Sequence, residues 1–441
     1  MRRLADLPPT LRYLVYALLV VALLLLLRWI DREDDATAAQ PSVEIHLLVR
    51  PSWVVGLEAA AARPLFHHAA TDRRARWRRV DVPADRLAAE LAALAADPAI
   101  EEAFVEPAAA LPAADREDSC PIHTPSFESY QGYLGPAPEG IDAPAAWRRG
   151  IRGQGVWFAD IEGGWNAAHE DLPGDRITHA GGTPIDNPQW RAHGTAVLGE
   201  VVARDNGKGV VGIAPDVERV FTSSIGGTSI ADAIDTAAER LRAGDVLLIE
   251  LQQTGPRGRF LPVEYWDDSF DAIAAATARG VVVIEAAGNG AEDLDRRIYR
   301  GKLSRSGRDS GAIVVGAGGP PRSGFSDRER LDFSNYGSRV DVQGWGRMVA
   351  TLDYGDLQAC SDRVDRHYTN LFSGTSSASP IVAGAAVLVE STARARGGVL
   401  APRQVRELLR ATGTPQAGAR AAQEPIGPRP DLARALPALA E

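Results

Sequence analysis

Ser376 lies in a segment whose residue types suit a nucleophile. The stretch 372–382 reads FSGTSSASPIV, a Gly-Thr-Ser turn followed by the small residues of a close-packed helix. A serine at a helix start has an exposed hydroxyl, and the unpaired N–H groups around it can bind an oxyanion. Pro380 falls in the first turn, where a missing N–H costs little. The same residues also suit a plain helix cap, so this segment alone does not decide.

Three further segments carry the residues that such a serine would need. His193, in AHGTAVLGE, is expected where a helix begins and is a candidate base. Asp160, in VWFADIEGGWN, is expected to end a buried strand, with Glu162 as a lesser rival for the acid. Asn289, in EAAGNG, follows a strand in a glycine-rich turn. Each has an ordinary alternative: a core or surface histidine, a strand-end turn residue and an Asn-Gly turn.

Taken together, these segments resemble a known family. The chain order Asp160, His193, Ser376 is that of the subtilisin arrangement. GTSSASP, HGT and AAGN match the serine, histidine and oxyanion-asparagine motifs of subtilisin-like serine proteases, and FSNYG at 333–337 matches the FSNxG segment of that family. The resemblance covers about residues 140–437.

The resemblance implies a serine endopeptidase that hydrolyses peptide bonds in polypeptide substrates. In that mechanism Ser376 attacks the scissile carbonyl, His193 takes its proton, and Asp160 holds the imidazole in the correct tautomer. The side chain of Asn289 and the N–H of Ser376 would bind the developing oxyanion. The alternative is a catalytically silent pseudoprotease that binds peptides in the same groove.

Two segments are expected to line the substrate cleft. Glu250-Leu251-Gln252 stands where the family has Ser-Leu-Gly, so the P1 preference of the family cannot be carried over. Ile225-Gly226-Gly227 is expected to form a second edge that pairs with peptide as an added strand. The expected substrate-binding residues are Ile225, Gly226, Gly227, Glu250, Leu251, Gln252, Ala287 and Gly288.

The resemblance also implies a structural calcium ion. His-Glu-Asp-Leu at 169–172 resembles the HPDL of the family, whose aspartate is a calcium ligand, and this makes Asp171 the expected carboxylate. The alternative is a loop tied by its own turns, with Asn206-Gly207 as a plain turn pair. The expected companions of Asp171 are the side chain of Asn206, the carbonyls of Arg204, Lys208 and Val210, and the side chain of Gln131.

Alternating strands and helices must position these groups. Strands are predicted at 156–159, 246–249, 281–284 and 313–315, and helices at 232–242, 269–279, 379–394 and 402–410. This alternation predicts an α/β fold, with a mainly parallel twisted sheet and helices on both faces. We expect the catalytic domain to occupy residues 141–441.

A smaller α+β domain is predicted before it, over residues 42–107. Strands at 43–50, 80–83 and 100–105 surround a helix at 85–96. The resemblance implies a propeptide that acts as an intramolecular inhibitor, so that the enzyme is made as a zymogen; a permanent accessory domain is the alternative. Residues 108–140, rich in Ala, Pro, Gly and Asp, are predicted to be a linker and the mature N-terminal arm.

The pattern of the first 35 residues predicts that the protein is exported from the cytoplasm. An apolar run at 13–27 follows three arginines and precedes an acidic patch at 31–35. Residues 1–35 are therefore either an uncleaved transmembrane signal anchor or a signal peptide cut near 36–38. The protein would be secreted, or held in the membrane of the cell envelope with its catalytic domain outside the cytoplasm. There Cys120 and Cys360 could form a disulfide, the alternative being two buried thiols.

Composition narrows the function classes. The 441 residues are 45% hydrophobic and 24% charged, which excludes a disordered chain. A net charge of −10 argues against a protein that holds nucleic acid through phosphate contacts.

Overall fold

The computed structural model describes residues 42–49, 63–64, 77–96, 100–105, 120–361 and 363–439. These belong to two compact units, Met1–Asp115 and Arg116–Glu441. The predicted anchor or signal segment, residues 1–35, lies outside the described residues. Within the described ranges, no helix combines the length and the apolar character that crossing a bilayer requires.

The first unit contains an antiparallel sheet and one helix. Its strands lie in the order β2-β3-β1-β4, and the helix contacts β3 and β4. Each element predicted for residues 42–107 is present within a few residues of its expected bounds, and β2 is additional. The elements are β1 (Ser42–Val49), β2 (Arg63–Pro64), β3 (Trp77–Pro83), α1 (Leu87–Ala96) and β4 (Ile100–Val105).

The second unit is built on a seven-stranded sheet in the order β13-β12-β11-β8-β5-β7-β6. Every strand pair in it is parallel, as the alternation of strands and helices predicted. Two antiparallel hairpins, β9-β10 and β14-β15, stand apart from it. The strands are β5 (Trp157–Glu162), β6 (Ile177–Gly181), β7 (Arg219–Ser224), β8 (Val246–Ile249), β9 (Gln252–Thr254), β10 (Phe260–Pro262), β11 (Val282–Ala286), β12 (Ile313–Gly318), β13 (Val342–Trp345), β14 (Val349–Leu352) and β15 (Tyr368–Phe372).

Helices cover both faces of this sheet. Alternate residues of β5 and β8 point to opposite faces, so Phe158 and Leu248 pack with one set of helices while Ala159 and Leu247 pack with another. The helices of the unit are α2 (Ala143–Trp147), α3 (Pro188–Val202), α4 (Ile230–Ala238), α5 (Asp267–Ala278), α6 (Thr375–Ala395), α7 (Pro402–Thr412) and α8 (Leu432–Ala438). The first face carries α3, α6, α7 and α8, and the second carries α4 and α5.

Two element boundaries differ from the sequence prediction in a way that matters for the site. Strand β5 continues to Glu162, three residues beyond its predicted end. Helix α3 begins at Pro188, where the side chain of Asn187 accepts hydrogen bonds from the next backbone N–H groups. His193 therefore lies in the second turn of α3 and not at its start.

Candidate active site

Glu162 is the acid that contacts the imidazole. Its Oε1 lies 2.6 Å from Nδ1 of His193, and its Oε2 accepts the N–H of Gly163 at 3.2 Å. The side chain of Glu162 is fully buried, whereas that of His193 is 23% exposed. A buried carboxylate on Nδ1 fixes the tautomer in which Nε2 can accept a proton.

Asp160, the residue expected to hold the imidazole, does not contact it. Its Oδ2 accepts the indole N–H of Trp165 at 2.7 Å, and its Oδ1 has no hydrogen-bond partner in the described part of the chain. Residues two apart on a strand share a face but are separated by about 6.6 Å along it. Because β5 continues to Glu162, the later carboxyl meets the imidazole, which corrects the sequence prediction.

Glycines let α3 approach the end of β5 closely enough for this contact. A Cβ placed on Gly194 would lie 2.4 Å from the carbonyl oxygen of Gly164, and one on Gly163 would lie 2.5 Å from the ring of Trp190. Either distance is shorter than a non-bonded contact allows. Small residues are therefore required where His193 meets the strand that carries Glu162.

The surroundings of His193 favour its charged form. Burial lowers the pKa of His193, but the charge of Glu162 and its hydrogen bond outweigh burial and raise this pKa above its usual value. The ring packs edge-on against Phe372, with 5.5 Å between ring centroids.

Ser376 sits in the first turn of α6, as predicted. Gly374 precedes the helix with a φ of 108°, a left-handed value that favours glycine. A Cβ at Gly374 would lie 3.3 Å from Nδ2 of Asn289 and 3.5 Å from the backbone N of Ser376. The two expected oxyanion donors thus flank one small space that glycine leaves open.

Asn289 is held in place through its side-chain oxygen and its backbone N–H. Its Oδ1 accepts the N–H of Thr375 at 2.9 Å, and its own N–H donates to Oε1 of Gln252 at 2.7 Å. Gln252 was expected at the substrate edge. Its hydrogen bond to the backbone of Asn289 was not predicted.

Asn335 fixes the loop that carries Asn289, a role the sequence analysis missed. Its Nδ2 donates to the carbonyls of Ala287 and Phe260, and its Oδ1 accepts the N–H groups of Gly290 and Glu292. The side chain is fully buried. The FSNYG motif was the available signal, although it did not reveal what the asparagine does.

Comparisons with known proteins identify the family. The profile of the subtilase family, Peptidase_S8, matches residues 166–427, more than half of the 441 residues. The chain belongs to the subtilase family.

Named relatives support a serine-type endopeptidase. Subtilisin Savinase of Lederbergia lenta is 30% identical over 264 residues, 57% of this chain and 81% of its own. An intracellular serine protease of Paenibacillus polymyxa is 31% identical, over 58% of this chain and 73% of its own. The chain spans 58% of an alkaline protease of Alkalihalobacillus alcalophilus, which is 30% identical over 57% of this chain.

A solved structure supports the fold. A structure described as proteases from Pseudoalteromonas arctica matches with a TM-score of 0.52 and 22% identity, and the match covers 72% of this chain and 99% of that one. The family match begins at residue 166, after both Asp160 and Glu162.

The two expected substrate edges differ in whether their backbone groups are already hydrogen-bonded within the chain. The N–H of Ile225 donates to the carbonyl of Glu162, and the carbonyl of Gly226 accepts the N–H of Thr183. The expected open edge at Ile225–Gly227 is therefore paired within the chain, because β7 ends at Ser224 and the chain turns at Gly227, whose φ is 76°.

The second expected edge lies beside the oxyanion loop. Leu251 is buried, and Gln252 opens the β9-β10 hairpin. Ala287 and Gly288 form the start of the oxyanion loop, where Gly288 has a φ of 92°. The carboxyl of Glu250 is 4% exposed and has no hydrogen-bond partner among the described residues. Burial raises the pKa of Glu250 well above its usual value, and the carboxyls of Glu162 and Asp160 raise it further.

The expected calcium ligands are engaged with one another. Oδ1 of Asp171 accepts Nδ2 of Asn206 at 2.8 Å, and Oδ2 accepts the N–H of Val210 at 2.9 Å. Oδ1 of Asn206 accepts the N–H of Lys208. The N–H of Arg204 donates to the carbonyl of Asp171.

The other charges of this loop also have partners. Nζ of Lys208 lies 2.8 Å from Oε2 of Glu170, and the amide of Gln131 is paired with the backbone of Val211. Calcium takes six to eight oxygen ligands. A loop that turns an amide nitrogen and a backbone N–H towards its one buried carboxylate does not fit that requirement.

Residues 120–140, predicted to belong to the linker and N-terminal arm, are joined to the rest of the second unit. Cys120 and Cys360 form a disulfide with 4.8 Å between their Cα atoms. Beside it, Arg366 donates to the carbonyl of Pro121, and Gln131 and Tyr133 are buried. Residues 120–140 therefore pack as part of the second unit.

Proposed function

We propose that this chain is an exported serine endopeptidase, made as a zymogen, that cleaves polypeptides through an acyl-enzyme. The observation that carries the proposal is the 2.6 Å contact between His193 and Glu162, on the same unit that holds Ser376 beside Asn289. Family membership supplies the reaction class, and the geometry supplies the assignment of the acid to Glu162.

Each group has a defined task in the proposed reaction. His193 takes the proton of the Ser376 hydroxyl through Nε2 as that hydroxyl attacks the scissile carbonyl, and the proton then passes to the leaving amine. Glu162 stabilises the imidazolium that forms in between. Nδ2 of Asn289 and the N–H of Ser376 bind the oxyanion in the space beside Gly374.

A fluorophosphonate probe tests the nucleophile. It should label the wild-type protein at Ser376, and Ser376→Ala should abolish labelling. Ser229→Ala is a matched control, because Ser229 is also a serine at a helix start but caps α4. Equal labelling of wild type and Ser376→Ala would overturn the assignment. An unlabelled wild type would favour the silent peptide-binding alternative, which the intact set of nucleophile, base, acid and oxyanion donors disfavours.

A second variant tests the oxyanion donor. Asn289→Ala should lower kcat by about 10²–10³ with little change in KM, the range known for an oxyanion asparagine in subtilisin itself. An unchanged kcat would contradict the role of Asn289. Because Oδ1 of Asn289 also accepts the N–H of Thr375, thermal unfolding of the variant should be measured alongside.

The zymogen and export parts of the proposal rest on the first unit and the disulfide. A separate small unit precedes residue 116, and a disulfide suits an oxidising compartment. Cleavage between 108 and 119 would remove the first unit and keep Cys120 bonded. Mass spectrometry of the active protein should place its N-terminus there, and Ser376→Ala should remain uncut if processing is autocatalytic. Whether residues 1–35 anchor the chain stays a prediction.

A further inference from the structure

A cleft of about 170 Å³ opens beside the imidazole and is not used by the groups assigned so far. Ser376, Asn289 and residues 250–252 do not line it. It is lined mainly by the loop between β14 and β15 and by β15 itself. The lining residues include His193, Tyr354, Asp356, Thr369, Leu371 and Phe372.

The rim of this cleft is apolar and open to solvent. Tyr354 is 46% exposed and Leu371 is 53% exposed. Large apolar side chains that are exposed together beside a cleft are typical of a binding site. The rings of Tyr354 and Phe372 lie 5.7 Å apart at an angle of 30°. They offer a surface along which an extended aliphatic stem can pack.

The backbone of the rim is held in a strained conformation. Asp353 has a φ of 64° and Tyr354 a φ of 56°, both left-handed values for residues other than glycine. The N–H of Asp353 donates to the carbonyl of His367 at 2.7 Å, and a disulfide ties Cys360 of the same loop to Cys120. Strain of this kind persists where the surrounding structure enforces it, and it concentrates at binding sites.

Asp356 is the carboxyl in the lining of the cleft. Oδ2 of Asp356 accepts the hydroxyl of Thr369, and no cation of the described chain forms an ion pair with Asp356. Oδ1 of the buried Asp353 accepts the N–H of Tyr354, while its Oδ2 has no partner in the described ranges. Burial raises the pKa of Tyr354, and the charges of Glu162, Asp353 and Asp356 raise it further.

The basic groups near this cleft have other partners. Arg347 donates to the hydroxyl of Ser373, a lining residue, at 3.2 Å and stacks over the ring of Phe333 at 4.9 Å. The charges of Arg191 and His367 act on Asp353. In the lining itself the base is His193, whose Nδ1 is paired with Glu162. Asp356 is thus left as a carboxylate without a cationic partner at the wall.

The position of His193 decides which part of a substrate the cleft meets. In the proposed reaction the imidazole passes its proton to the leaving amine, so the residue after the scissile bond must lie next to it. The cleft is lined by that imidazole and by residues of β15. Its occupant is therefore the side chain of the first residue of the leaving group.

We propose that this cleft selects an arginine or lysine immediately after the scissile bond, with Asp356 as the specificity-determining residue. The aliphatic stem lies on Tyr354 and Phe372, and the cationic end reaches Asp356. This inference rests on the proposed function, since it names one feature of the substrate for that same site.

Peptides that differ in one residue test the proposal. A fluorogenic series should carry arginine, methionine or glutamate directly after the scissile bond, with all other positions constant. We expect kcat/KM for arginine to exceed that for methionine by about 5- to 10-fold, as one partly exposed charge pair allows, with glutamate poorest. The advantage of arginine should shrink as salt is raised.

Asp356→Asn should bring the arginine-to-methionine ratio close to one and leave the methionine peptide almost unaffected. Asp356→Lys should make glutamate the preferred residue. Asp365→Asn is the matched control, because Asp365 lies on the same loop but pairs with Arg363 outside the cleft. That variant should keep the wild-type ratio.

The outcomes distinguish a failure of this inference from a failure of the proposed function. A wild type that cuts the methionine peptide but shows no advantage for arginine would overturn the inference alone, and this result needs no variant to fold. An arginine advantage that survives in Asp356→Asn would also overturn it. A wild type that neither cuts any peptide nor reacts with the fluorophosphonate would overturn the proposed function and this inference together.

Discussion

Two groups of carboxyls in the second unit have different surroundings. The loop carboxyls, Glu170 and Asp171, are matched by Lys208, the amide of Asn206 and the N–H of Val210. The strand-end carboxyls, Asp160, Glu162 and Glu250, share one imidazole, one indole and one backbone N–H. Asp160 keeps one oxygen and Glu250 both oxygens without a hydrogen bond in the described part of the chain.

The difference separates stability from function. A buried carboxyl whose oxygens accept hydrogen bonds helps to hold a loop together, whereas buried carboxyl oxygens without a hydrogen bond cost free energy. Burial, and then the charge of Glu162, raise the pKa of Asp160 well above its usual value. Glu162 is the carboxyl of its group that faces the imidazole.

The largest expected effect tests which strand-end carboxyl serves the base. Glu162→Gln should lower kcat by about 10⁴-fold, the loss known when a serine protease triad loses its acid, because the imidazole then adopts the wrong tautomer. Asp160→Asn should cost less than about 5-fold, since an asparagine keeps an acceptor for the indole N–H of Trp165 and Glu162 still pairs with the imidazole. Equal losses in the two variants would remove the distinction between Glu162 and Asp160. Steady-state kinetics on one peptide, normalised to probe-labelled protein, makes the comparison.

The next effect tests the loop carboxyls as stabilising groups. Asp171→Ala leaves the amide of Asn206 and the N–H of Val210 without their acceptor, so the free energy of unfolding should fall by about 2–4 kcal/mol. The kcat of the protein that remains folded should not change. Denaturant unfolding and active-site titration measure the two quantities. A variant that loses kcat but no stability would mean that the two carboxyl groups had been assigned the wrong way round.

A smaller effect concerns the acid limb of the pH profile. Activity needs a neutral imidazole, and Glu162 raises the pKa of His193, so kcat/KM should fall on acidification with a midpoint above about 6.5. The same shift stabilises the folded protein at pH values below the unfolded pKa, and this contribution is lost as pH rises through the folded pKa. A midpoint below that of a model histidine would contradict the pairing. The limb should be recorded on a peptide without titratable groups.

The smallest effects concern the charge of Lys208, beside the loop expected to bind calcium. Lys208→Met should lower the free energy of unfolding by about 0.5–1 kcal/mol, because the pair with Glu170 is partly exposed. A calcium chelator should leave the thermal midpoint of the wild type unchanged, since the loop turns donors towards Asp171. A large fall in the midpoint on chelation, restored by calcium, would show that these residues rearrange around the ion. Magnesium addition provides the matched control.

The nucleophile end of the site could be predicted from sequence because its signal is local. Gly374, Ser376 and Asn289 lie in short motifs whose geometry follows from a helix start and a turn. The acid end could not be predicted in the same way. Asp160 and Glu162 are both plausible, and the choice depends on where β5 ends and on how closely α3 packs, which is set by contacts between distant segments.

The broad fold followed from alternating strands and helices, while its details did not. Strands β6, β7 and β13 escaped prediction, and the pairing of Gly226 with Thr183 depends on a loop 43 residues earlier in the chain. The expectation of a calcium site rested on the types of residue found in a motif. The orientation of Asn206 depends on the backbone N–H of Lys208, which the motif does not specify.

The buried amide of Asn335 has a consequence for how the enzyme ages. An asparagine followed by glycine deamidates when the next backbone nitrogen attacks its side chain, and Asn289 is followed by Gly290. That nitrogen is bound at 3.1 Å by Oδ1 of Asn335 and is held away from this attack. Deamidation would place a negative carboxylate where the reaction develops its own negative charge, so a residue outside the chemistry protects the working lifetime of the protein.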